Sequence, residues 1–152
     1  MRKWMILLAL AAFVGAPLAA TASPNGTREE ATAMVQKAAA LLTKDGKDKA
    51  FEAFDDHAGP FADRDLYIFV LDMNGTTVAH ATNKALIGKT LLNMKDADGK
   101  LFVQELIATA TTKGEGWVDY KWSNPVSKKI EAKSSFVKKV GDCVIGCGVY
   151  SN

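Results

Sequence analysis

The sequence predicts a single α+β domain with helices packed against a five-stranded antiparallel sheet. Three observations predict it. Apolar residues recur at three- and four-residue spacing just after Thr27, Leu66 to Leu71 is a β-branched and aromatic run closed by Asp72-Met73-Asn74-Gly75, and three strand-like stretches follow one another at the C-terminal end. With 152 residues, 48% hydrophobic and 24% charged, the chain can bury one core but has no room for a second.

The N-terminus reads as a targeting segment. Arg2 and Lys3 precede the uncharged run Trp4 to Val14, which is shorter than the roughly 20 residues that span a bilayer, and Ala20-Thr21-Ala22 offers small residues for cleavage. We therefore expect a signal peptide over residues 1–22, a mature chain of about 130 residues from Ser23 to Asn152, and a periplasmic or secreted location with no membrane span after processing. An uncleaved anchor is the alternative. Without Arg2 and Lys3, 17 basic residues balance 17 acidic ones, which disfavours a nucleic-acid partner.

The elements follow in order. Thr27 and Glu30 form a capping box, and Ala31, Met34, Val35, Ala38, Leu41 and Leu42 make an apolar stripe that runs to the stop at Asp45-Gly46. A second helical stretch, Lys47 to Asp56, places Ala50, Phe51 and Phe54 on one face. Gly59-Pro60 breaks it. Leu66–Leu71 then reads as one strand, with a return strand over about Thr76–Ala81, a short helix near Leu91, a loop at Asp96–Lys100, and a helix with Phe102, Leu106, Ile107 and Ala110 on its buried face. The final strands are Trp117–Trp122, Ile130–Val140 and Cys143–Tyr150. Cys143 and Cys147 share the last of these. Four residues of extended chain hold them roughly 13 Å apart, too far for a disulfide.

A family resemblance is carried by an ordered set of motifs. Gly59-Pro60-Phe61, Asp63 to Asp72, Asn74-Gly75, Ala79-His80, Leu86 to Lys89, Lys95-Asp96, Asp98 to Lys100, Gly116 to Trp122, Lys133 to Val137 and Gly146 to Tyr150 together resemble the single Cache domain of type 2. The sequence departs from that pattern at Ala81 and Lys84, where related sequences often have Gly and Pro. The resemblance implies a PAS-like sheet and an extracytoplasmic sensor domain that binds small organic acids and acts through a membrane-bound signalling or transport partner.

Six residues are expected to bind ligand. Tyr120 and Trp122 share one sheet face, with Trp117 and Asp119 on the other, and this pair is either core packing or a pocket wall. Lys133 shares a face with Glu131 and Ser135, and its counter-ion is Glu131, Asp119 or a ligand carboxylate. The resemblance favours the ligand. His80 either bonds loop backbone or donates to a ligand oxygen, with a charge change near pH 6 to 7. Tyr67 and Phe69 are candidate pocket walls, and Arg64 is expected in a surface ion-pair network.

No catalytic residue, metal or cofactor is expected. Gly-x-Ser-x-Gly, Walker and His-Glu-x-x-His patterns are missing from the sequence, and Asp96-Ala97-Asp98-Gly99 lacks the spacing of a calcium loop. The leading expectation is a binding module for a C2 to C4 monocarboxylate. A structural or protein-interaction domain with no exchangeable ligand is the alternative.

Overall fold

The computed structural model describes residues 23–151, so the expected signal peptide over residues 1–22 lies outside the described residues. Helix α1 spans Arg28–Phe54 and opens with the expected box: Thr27 Oγ1 accepts from the Glu30 amide at 3.2 Å, and the Thr27 amide donates to Glu30 Oε2 at 2.9 Å. At Gly46 the backbone leaves helical geometry, with φ 80° and ψ 176°, so the two expected helices meet at a kink. A left-handed φ of this kind suits a residue without Cβ.

Two short strands follow, β1 (Ala62–Asp63) and β2 (Leu66–Tyr67), paired with each other. Next come β3 (Phe69–Asp72) and β4 (Thr77–His80), helix α2 (Phe102–Lys113), and strands β5 (Glu115–Ser123), β6 (Ile130–Val140) and β7 (Cys143–Ser151). The main sheet is five-stranded and antiparallel, as expected, and its strand order is β4-β3-β7-β6-β5.

Two expected elements take another form. The single strand over Leu66–Leu71 is split at Ile68, whose amide bonds the Phe61 carbonyl at 2.9 Å and whose carbonyl accepts from the Ala81 amide at 3.1 Å. The chain passes there from the small hairpin into the main sheet. The helix expected near Leu91 is instead a 3₁₀ turn at Lys84–Leu86, started by Asn83, whose side chain accepts from the Ala85 amide at 3.2 Å. Leu91 cannot be helical because its amide is committed to the Gly75 carbonyl at 2.8 Å.

Alternation along the strands divides the core. One face, with Val70, Ala79, Phe136, Ile145, Cys147 and Val149, packs on α1, and the other carries the groups that meet α2 and the loops. The two cysteines are buried free thiols on the α1 side, and burial pushes the Cys147 thiol up to about 12. The Asp96-Ala97-Asp98-Gly99 string, expected not to be a calcium loop, serves its own backbone. Asp96 Oδ1 accepts from the Asp98 and Lys100 amides at 3.0 and 2.9 Å, and Oδ2 accepts from the Lys121 amide at 2.9 Å.

Two glycines of β7 have a steric role on the face opposite α1. A Cβ on Gly146 would lie 2.7 Å from Phe69 Cε2, and one on Gly148 would lie 2.5 Å from Lys133 Cε. The Phe69 ring and the Lys133 stem therefore lie directly across bare backbone. Gly146→Ala should lower the unfolding free energy by about 1–3 kcal/mol through overpacking. A urea titration of the purified domain checks this, and a midpoint equal to wild type would show that Phe69 can move aside.

Candidate functional site

Strand register brings the site together. Tyr120 on β5 lies opposite Lys133 on β6, Lys133 opposite Tyr150 on β7, and Phe69 on β3 is paired with both Gly146 and His80. Directly paired residues point to the same side of a sheet. Tyr67, Phe69, His80, Tyr120, Trp122 and Lys133, all six expected site residues, line one cavity of about 30 Å³. That exceeds the ~10–15 Å³ that a single water needs. Helix α2 closes it with Phe102, Val103 and Leu106, and the Phe102 ring stacks on Tyr120 at 4.6 Å between centroids. A larger space of about 210 Å³ shares Tyr67, His80 and Trp122 and is lined also by Asn83 and Asn124.

Lys133 is 2% exposed. Its ammonium donates to the Tyr67 hydroxyl at 2.7 Å and lies 4.0 Å from the centre of the Tyr67 ring. The Tyr150 ring, at 5.0 Å, gives it a second aromatic face. Neither carboxylate considered as a counter-ion reaches it. Glu131 is held by the Asn124 side chain at 2.7 Å and by Ser127 Oγ, and Asp119 projects from the other face of β5. None of the ion pairs among the described residues includes Lys133. Two of its three N–H bonds thus lack a protein acceptor among the described residues. Desolvation pulls its pKa down to about 7, against a smaller opposing pull from Cys147 and Asp65.

The hydroxyls beyond it have a fixed direction. Tyr150 donates to the Ser123 carbonyl at 2.8 Å, so its oxygen accepts from Tyr67 at 3.0 Å, and Tyr67 in turn accepts from Lys133. Burial holds both phenols well above their ordinary range, which keeps them neutral. Tyr120 is likewise neutral and bonds Ser135 Oγ at 3.0 Å.

His80 differs from the expectation in one respect. It does bond loop backbone, since Nδ1 accepts from the Asn83 amide at 3.1 Å and the Thr82 amide at 3.3 Å. This places the ring proton on Nε2, which has no protein partner among the described residues. Burial first, and repulsion from Lys133 second, lower its pKa to about 3, so His80 does not change charge near pH 6 to 7. It stays a neutral donor. Arg64 stands apart from the cavity, paired with Asp63 at 2.7 Å and Glu30 at 2.8 Å as expected.

Sequence reasoning missed Tyr150, Phe102 and Thr77. Tyr150 alternates with Gly146 and Gly148 on β7, and that spacing of two bare positions and one phenol was the available signal.

The lysine makes stability depend on pH. Between pH about 7 and the ordinary lysine value the unfolded chain binds a proton that the native chain does not, so ligand-free stability rises with pH through that window. Lys133→Met should therefore melt higher than wild type below pH 7, with the gain shrinking as pH rises toward 10.5. Calorimetric melting at pH 6 and pH 9 measures it. A constant difference would mean that the amine is not desolvated.

Comparison with known proteins gives a consistent picture. The profile of the family described as Single Cache domain 2 matches residues 17–152. The sensor histidine kinase MctS of Rhizobium johnstonii is 38% identical over 89 residues, covering 57% of this chain and 19% of that protein. The methyl-accepting chemotaxis protein McpP of Pseudomonas putida is 31% identical over 90 residues, covering 58% and 16%. The chain thus spans less than a fifth of the curated relatives it matches. A solved periplasmic sensor domain of a chemotaxis protein superposes with a TM-score of 0.66 at 32% identity, over 82% of this chain and 90% of that one.

Proposed function

The chain belongs to the single Cache domain 2 family, and from that premise we propose that it is an exported sensor-type module that binds a C2 to C4 monocarboxylate and acts through a partner protein. One observation carries the ligand class: a buried ammonium with two unspent N–H bonds and no carboxylate partner among the described residues faces a mostly apolar cavity. A desolvated cation of this kind is costly until an anion joins it.

In this reading the ligand carboxylate accepts from Lys133 Nζ and from His80 Nε2–H. Its carbon tail lies against Phe69, Tyr120 and Trp122. Tyr67 supports rather than binds, because its single proton is committed to Tyr150. The small cavity favours acids of few atoms, and six heavy atoms at a ceiling of roughly −1.5 kcal/mol each leave room for affinities from micromolar to millimolar. Binding without chemistry is the whole role we assign to the site, with no enzymatic activity.

Location and partner follow the same reading. The relatives are a sensor kinase and a chemotaxis receptor, and no helix among the described residues is long and apolar enough to cross a membrane. Export through residues 1–22 would leave the module outside the cytoplasm, free to engage a membrane-bound signalling or transport protein. Intact mass of the protein recovered from the periplasm of a producing bacterium should begin at Ser23. Recovery of Met1 in the membrane fraction would instead make it anchored.

Calorimetry with acetate, propanoate and butanoate tests the ligand class. At least one should bind, and Lys133→Met should weaken it by about 2–3 kcal/mol, or roughly 30- to 150-fold, through loss of a charge-assisted hydrogen bond. Because the free lysine has a pKa of about 7, binding above that pH takes up a proton, and affinity should fall about tenfold per pH unit. Failure of all three acids to bind would favour a structural or protein-interaction domain.

A further inference from the structure

Among the described residues, Thr77 is the one cavity-lining residue with a fully buried side-chain oxygen that makes no hydrogen bond. It is 1% exposed, and its Oγ1 has no hydrogen-bond partner. Its pairing with Leu71 puts it on the same sheet face as Phe69 and His80, and Leu86, Leu91 and Leu106 line the cavity with it. The other orphaned polar atom among the described residues, Asp65 Oδ2, does not line the cavity. Leaving a hydroxyl dry and unpaired is destabilising, so a group that pairs with it gains what an apolar group forfeits.

The position along the sheet indicates which ligand atom could do so. Phe69 and His80 form one row, and Leu71 and Thr77 form the next row on this face, two residues and about 7 Å further along β3 and three residues along β4, across a register shift. The ammonium lies beside the first row, 5.5 Å from the Phe69 ring. A carboxylate held there leaves the far end of a three- or four-atom chain facing Thr77.

Building on the carboxylate reading above, we propose that Thr77 is a specificity residue that selects acids bearing a hydroxyl or carbonyl oxygen at the end of the chain remote from the carboxylate. Butanoate and 3-hydroxypropanoate are the discriminating probes, because they have the same number of heavy atoms and differ by a terminal methyl against a hydroxyl. Thr77→Val is the matching isosteric change in the protein.

Calorimetric dissociation constants for both acids are measured on wild type, Thr77→Val and Thr77→Ser. The ratio of the butanoate constant to the 3-hydroxypropanoate constant should drop about 3- to 10-fold in Thr77→Val and be retained in Thr77→Ser. Removing an unpaired hydroxyl should leave the ligand-free Thr77→Val protein melting no lower than wild type, which keeps the comparison free of folding effects. An unchanged ratio with both acids still bound overturns the selectivity role and leaves the carboxylate reading intact. Loss of both acids in wild type itself overturns that reading and this inference with it.

Discussion

Lys133 carries a primary amine into the middle of a sheet face, where it meets the rings of Tyr67, Phe69, Tyr120 and Tyr150, one phenol oxygen and, among the described residues, no carboxylate. Much else in the domain is arranged around that burial. The stem can lie flat only because Gly148, on the neighbouring strand, has no side chain where the lysine Cε passes. The amine is tolerated because its first donor is spent on Tyr67, whose own proton continues through Tyr150 to the Ser123 carbonyl. A directed series of this sort leaves no ambiguity about which groups can still donate. Lys133 can, and so can His80 Nε2, because the Thr82 and Asn83 amides already occupy Nδ1.

The same sheet has two faces with opposite tasks. Toward α1 the side chains are mostly small or aliphatic, with the rings of Phe136 and Trp117 among them, and the helix lies against them with Ala31, Val35, Ala38 and Leu42. Such a face is filled by packing alone. Toward α2 the sheet presents rings, a lysine and a histidine, shapes that do not interdigitate as densely, and a cavity remains between Lys133 and Thr77. The two-residue period of the strands thus separates a packed face from a cavity-bearing one. A change on the α1 side acts on folding alone, whereas a change on the α2 side alters the cavity as well as stability.

The neutral state of His80 follows from where it is held. An exposed imidazole would titrate near pH 6.5, but burial and the nearby ammonium both oppose a second positive charge, and the value falls to about 3. The site therefore contains one titrating cation rather than two. In the proposed carboxylate reading, anion binding is coupled to the proton on Lys133 alone.

Periodicity and capping chemistry made most of the fold legible in the sequence. The capping box at Thr27, the stop at Gly46, the helix at Phe102 and the three final strands are local features, encoded within a few residues of each other. The face shared by Tyr120 and Trp122, and by Tyr67 and Phe69, was also legible, because alternation survives even the break at Ile68. The break itself was not, nor was the 3₁₀ turn in place of a helix near Leu91, since each depends on amides claimed by distant carbonyls at Phe61 and Gly75. The counter-ion of Lys133 was undecidable for the same reason. Alternation already set Asp119 on the face opposite Tyr120, but only the assembled sheet pairs Tyr120 with Lys133 and turns Glu131 toward Asn124. Nor could sequence single out Thr77, because a threonine in a strand is ordinary until tertiary packing removes every partner from its hydroxyl.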